Sequence, residues 1–126
     1  MDAPASRRKE WVALLKSLNI DEREIRERKE FLEFRNEDEA RLGEVNTLAA
    51  EYAEEVIEDF YRHILNFEDT RAFFSDPKVL AHVKNAQKQY FLRLTQGHYD
   101  ENYVENRLRV GAVHERISLP IKSYLG

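Results

Sequence analysis

The 126-residue chain contains no cysteine. That absence removes disulfides, thiolate metal sites, nucleophilic thiols and covalently attached c-type haem together, so any cofactor is held non-covalently. Four glycines and three prolines leave few turn signals, and long stretches without a breaker are the composition of a helical protein. The glycines, at 43, 97, 111 and 126, never assemble a phosphate loop, and no serine sits in a Gly-x-Ser-x-Gly elbow. No catalytic motif survives, and the chain is not expected to be an enzyme. The longest apolar run covers only residues 11–15, far short of the roughly 20 residues that cross a bilayer. Residues 1–6, followed by Arg7, Arg8, Lys9 and Glu10, lack the apolar centre of a signal peptide, and the expected location is the cytoplasm. Excess positive charge is missing too: 24 acids outnumber 20 interleaved bases, for a net charge of −4. Neither a nucleic-acid backbone nor an anionic membrane finds a basic patch to bind.

What the chain does have is helical periodicity, and its length suits one domain with one core. The expected class is all-α. Residues 1–5 read as a disordered lead and residues 6–34 as a helical extension, with Trp11, Leu14, Leu15 and Leu18 on one face behind a cap at Ser6. Asp21 and Glu24 have capping-box spacing, and the charged run around Ile25 pairs acids with bases at helical separations, as a solvated face does. Asn36 with Glu39 repeats the start signal, and a break is expected near residues 43–46. From Ala49 onward, Ala53, Val56, Ile57, Phe60, Tyr61 and Ile64 form one apolar stripe. Phe73 and Phe74 mark a short corner. Asp76-Pro77 then starts a helix through Leu80, Val83, Gln87, Tyr90 and Leu94 to a stop at Gly97, expected to be the longest, at about 30 Å. Asp100 caps a last helix within the stretch 103–124, along which Val110, His114, Ile117 and Ile121 recur at helical spacing, and Leu119-Pro120 closes that helix.

Four histidines invite a metal search, but no His-Glu-x-x-His or Glu-x-x-His pattern occurs. His63, His82 and His98 sit among polar residues and read as surface. Only His114 stands on an apolar stripe, one turn after the nearly bare Gly111 and Ala112, which would let something flat and wide lie close to the backbone. A lone histidine on such a face is more often a hydrogen-bonded core residue than a ligand. A phenol such as Tyr61 on a core stripe is likewise ordinarily core, its hydroxyl satisfied by a backbone carbonyl. Small Ala86 beside Val83 leaves a gap that suits a ligand or rearranged neighbours equally.

Two coupled stretches change that balance. Arg109, Val110, Gly111, His114, Arg116, Ile117, Leu119 and Pro120, with the Phe60-Tyr61 pair upstream, resemble the haem-binding domain of the globin-coupled sensors, related to protoglobins. That family carries a motif of the form R-hydrophobic-G-x-x-H-x-R-I-G-L-P about half a domain after a distal Phe-Tyr pair. The resemblance implies a globin-like fold with an extra N-terminal helix, a core over residues 36–126, and truncation before the last two helices. It implies haem b as cofactor, His114 as the proximal iron ligand and Tyr61 as the distal hydrogen-bond donor to O₂. It further implies a pocket drawn from Phe60, Phe74, Val83, Ala86, Gln87, Tyr90, Val110, Ile117, Ile121 and Tyr124. Propionate partners stay open among Lys84, Lys88, Arg107, Arg109 and Arg116.

On this resemblance the expected function is a gas sensor, for O₂ or another diatomic such as CO or NO. It would regulate a C-terminal signalling output domain, and the full-length protein would be a homodimer. A phenol donor to a ligand that gathers negative charge is worth about 1.5–3 kcal/mol, roughly ten- to a hundredfold in retention. Ser118 stands where the family usually has glycine, and Ser123 where a tryptophan is common. Two other readings are a haem-free sensor globin acting as a protein-interaction module, with His114 and Tyr61 merely core, and an O₂-handling enzyme. The enzyme reading lacks a distal histidine and arginine pair on the helix bearing Val83 and Ala86.

Overall fold

The computed structural model describes residues 5–125, with the side chains of residues 5–8, 11, 124 and 125 outside the description. The readings for the 1–4 lead and for the Ser6, Trp11 and Tyr124 side chains therefore fall outside the described residues. Helices α1 (Ala5–Ser17), α2 (Glu22–Phe31), α3 (Asn36–Ile64), α4 (Glu68–Arg71), α5 (Pro77–Leu94), α6 (Glu101–Arg116) and α7 (Lys122–Leu125), with a 3-10 turn at Ala72–Phe74, make an all-α chain with no strand among the described residues. The chain divides into two compact units: Asn36–Gly97, and a second that gathers the residues up to Arg35 with those from His98 onward.

In the Asn36–Gly97 unit, α3 packs on α5. Its buried residues, Ala49, Ala53, Ile57 and Tyr61, recur every four positions and run from small to large. Ala53 is wholly buried, so the two backbones approach closely there, because there is no longer side chain to hold them apart. Asn46 donates to the Leu92 carbonyl and to Thr95 Oγ1, both at 2.8 Å. Lys88 pairs with Glu54 and Lys84 with Glu58. Partners on α5 fall in number as those on α3 rise, so the two helices run antiparallel. Gly97, at φ +83°, follows α5, and a Cβ there would come within 3.0 Å of the Glu39 carbonyl oxygen. Both the left-handed backbone and the close approach require glycine at this position.

Several expected boundaries change. α3 runs unbroken through Gly43, with 29 residues, and is longer than α5 at 18. One mid-helix glycine costs only about 1 kcal/mol, which the Asn46 anchor and the Ala49–Ala53 packing offset. The stripe on α3 is narrower than its periodicity suggested, since Val56 and Phe60 remain exposed. On α5, Ala86 is exposed rather than facing a gap in the core.

In the second unit, α1 packs on α6, Leu15 and Ile25 are buried while Leu18 is exposed, and Tyr99 stands edge-on to both Phe34 and Tyr103. α6 stops at Arg116, just before the close expected at Leu119-Pro120. Leu119 N–H bonds the His114 carbonyl, Ser118 N–H bonds that of Glu115, and Ser118 takes φ +55°. This Schellman closure satisfies the last carbonyls of the helix. Ile117 becomes the C-cap and Ile121 lies beyond the helix, so the expected stripe ends at His114.

Candidate functional site

Tyr61 sits in the last turn of α3, only 2% exposed. Phe60 and Phe74 meet its ring edge-on at centroid distances of 5.3 and 5.7 Å, and the Lys84 ammonium lies 6.0 Å from the ring centre. The hydroxyl donates to Gln87 Oε1 at 2.5 Å. The expected acceptor was a backbone carbonyl; in fact it is a half-buried side-chain amide on α5. Asp76, accepting from Lys78 N–H, and Pro77 fix where α5 begins, and the packing of α5 on α3 brings Gln87 to Tyr61. Burial pushes the Tyr61 phenol up to about 12, so at neutral pH it is a hydrogen-bond donor and never an anion.

Of the remaining predicted residues in this unit, Phe74, Val83 and Tyr90 are half-buried, while Phe60 and Ala86 are exposed. The structure thus brings Phe60, Tyr61, Phe74 and Gln87 together. It also shows an open groove of about 420 Å³ beside them, walled by Ile57, Pro77 and Leu80 and edged by the Glu54–Lys88 and Glu58–Lys84 pairs. None of the expected pocket residues lines that groove, and of the propionate candidates Lys84 and Lys88 edge it.

In the other unit, Asp100 accepts from Tyr103 N–H and starts α6, which carries Val110 and His114, both half-buried. Burial, and then the charge of Arg107 two turns earlier, lowers the pKa of His114. The imidazole is therefore neutral at physiological pH, the form in which histidine ligates metals. A Cβ added at Gly111 would meet nothing within 4 Å, so the backbone before His114 stays open to a neighbour. Ile117 and Ile121 are exposed.

No group of three or more His, Cys, Asp or Glu able to hold a metal ion occurs among the described residues. A site built wholly from protein ligands is therefore unsupported. Haem makes a smaller demand: the porphyrin supplies the equatorial ligands and the protein a single neutral imidazole. The half-buried neutral imidazole of His114 meets that chemical demand.

The protoglobin family model matches residues 21–126. The chain belongs to that family. It is 32% identical over 115 residues to the haem-based aerotactic transducer HemAT of Halobacterium salinarum, a match covering 90% of this chain and 24% of that protein. It also matches the solved globin domain of the Geobacter sulfurreducens globin-coupled sensor with a TM-score of 0.69 at 30% identity, over 75% of this chain and 62% of that one. The chain thus spans about a quarter of the length of the curated relative. As a member of the protoglobin and globin-coupled sensor group it has the globin-like fold.

Proposed function

We propose that this protoglobin-family domain binds b-type haem and senses a diatomic gas, O₂ foremost with CO and NO as further ligands, for a C-terminal signalling output domain in a homodimeric, cytoplasmic protein. The observation that carries the reading is Tyr61: a phenol 2% exposed and kept protonated by burial, in a chain whose family motif supplies a half-buried neutral histidine. The site residues keep the roles the family motif implies. His114 would hold the haem iron, its backbone tied by the Leu119 N–H bond to its carbonyl. Haem, when bound, supplies the open coordination position at which a diatomic ligand gathers negative charge. Tyr61 would donate a hydrogen bond to that ligand, and the half-buried Phe74 ring helps keep water from the phenol. A gas that engages Tyr61 and loads His114 in one conformation more than another shifts the population between conformations, which is the signal.

The test is an absorption spectrum of protein expressed with haem supply, reduced and then exposed to air and to carbon monoxide. A Soret band that moves with each gas supports the reading. A second reading draws on the Tyr61–Gln87 bond itself, which satisfies the phenol inside the protein: the domain is then a haem-free interaction module with Tyr61 as core. A folded but colourless protein after haem addition selects it.

A further inference from the structure

The Tyr61 hydroxyl carries one proton and donates it to Gln87 Oε1. A phenol has a single donor, so a second acceptor is served only if this bond breaks or is shared. Escape to water is closed to it at 2% exposure, and the Phe74 ring edge-on at 5.7 Å limits how far the tyrosine ring swings. Gln87, half-buried on the facing helix, is unbranched to its amide and turns more easily than Tyr61. Asp76 and Pro77 at the start of α5, with Asn46 bonded to Leu92 at its far end, hold the helix that presents it.

We propose that Gln87 regulates Tyr61: it positions the phenol and competes with the gas ligand for the single proton that Tyr61 donates. The proposal rests on the haem-sensor reading and adds to it a residue that sets how strongly the ligand is held. With Gln87 in place the ligand gains only the difference between two hydrogen bonds. Removing the amide oxygen leaves the phenol nothing else to serve, so the ligand gains the whole bond. Gln87 is therefore a positioning residue whose loss tightens O₂ binding, opposite in sign to loss of Tyr61. Carbon monoxide, which gathers less negative charge, gains little either way.

The experiment compares haem-loaded wild type, Gln87→Leu, Tyr61→Phe and the double variant by stopped-flow O₂ and CO release. Gln87→Leu is expected to slow O₂ release about three- to tenfold, the span of one ordinary hydrogen bond, with CO release changed less than about twofold. In the Tyr61→Phe background the same substitution should leave O₂ release unchanged, because its effect passes through the phenol. Gln87→Met, unbranched and similar in length, replaces the leucine variant if that one folds poorly. Unchanged or faster O₂ release, or an equal effect with and without Tyr61, overturns the proposal. In haem-free protein the phenolic proton should give a slowly exchanging downfield NMR signal, lost in Tyr61→Phe and shifted upfield in Gln87→Leu. A signal indifferent to Gln87 also overturns it. Absence of a Soret band in wild type removes the haem reading itself, whereas a normal Soret band with Gln87-independent rates removes this proposal alone.

Discussion

A buried phenol and a half-buried imidazole are perturbed by the same cause in chemically opposite directions. Desolvation disfavours the charged form of each, so Tyr61 keeps its proton and His114 loses one. Each is left neutral, one as donor and the other as acceptor. Tyr61→Phe removes the donor but keeps the ring, and it should retain haem while releasing O₂ about ten- to a hundredfold faster, as stopped-flow would show. His114→Ala should lose the native five-coordinate ferrous spectrum; its persistence would mean that another residue holds the iron. Alkaline stability follows from the Tyr61 shift, from 10.0 in the unfolded chain to about 12 when folded. Stability from holding the phenol neutral is complete below pH 10 and is lost as pH rises towards 12, on the order of 2 kcal/mol in all. Urea midpoints between pH 9 and 12 should fall more steeply for wild type than for Tyr61→Phe.

At the scale of elements, starts and stops were unequally legible. Asp21, Asp76 and Asp100 each accept from a backbone N–H of the helix they begin, and all three were readable because a cap is a local bond between near neighbours. Helix ends were harder. α1, α2 and α6 all close with the same pair of backbone bonds around a residue at positive φ, and those residues are Asn19, Glu33 and Ser118 rather than glycine. Without the glycine the usual stop signal is absent, so the end of α6 was read from Leu119-Pro120, just beyond its last helical residue, Arg116. Left-handed geometry costs an L-residue about 1 kcal/mol that glycine does not incur. Ser118→Gly, the residue usual at this place in the family, should therefore raise stability by about 1 kcal/mol with an unchanged Soret band, checked by urea denaturation. The ion pairs Arg23–Glu27 and Arg28–Glu24 in α2 and Arg41–Asp38 and Arg62–Asp59 in α3 are largely exposed and should contribute little, each about 0–1 kcal/mol.

For the whole molecule, the proposal makes haem a folding ligand. Among the described residues few large side chains are deeply buried and Tyr61 is the largest, while α5 and α6 contain no buried residue. A group that binds only the native state stabilises by mass action, about 2.7 kcal/mol at a hundredfold excess over its dissociation constant. Haem addition should therefore raise the thermal midpoint by several degrees in wild type and much less in His114→Ala, read by circular dichroism. No described helix is long and apolar enough to cross a membrane.

By itself the sequence determined the helical class, the three aspartate caps, the family, and Tyr61 and His114 as candidates. These depend on periodicity, on bonds between near neighbours, or on a motif written contiguously in the chain. Only the tertiary structure decided that Gln87 accepts the Tyr61 proton, that Phe74 and not Phe60 shares its burial, and that Asn46 and Gly97 bind the end of α5 to α3. Each of those depends on the rotation and spacing of two helices far apart in the chain. Ala53 sets the closeness of α3 and α5, but nothing local to Ala53 or to Gln87 says that one brings the other to Tyr61.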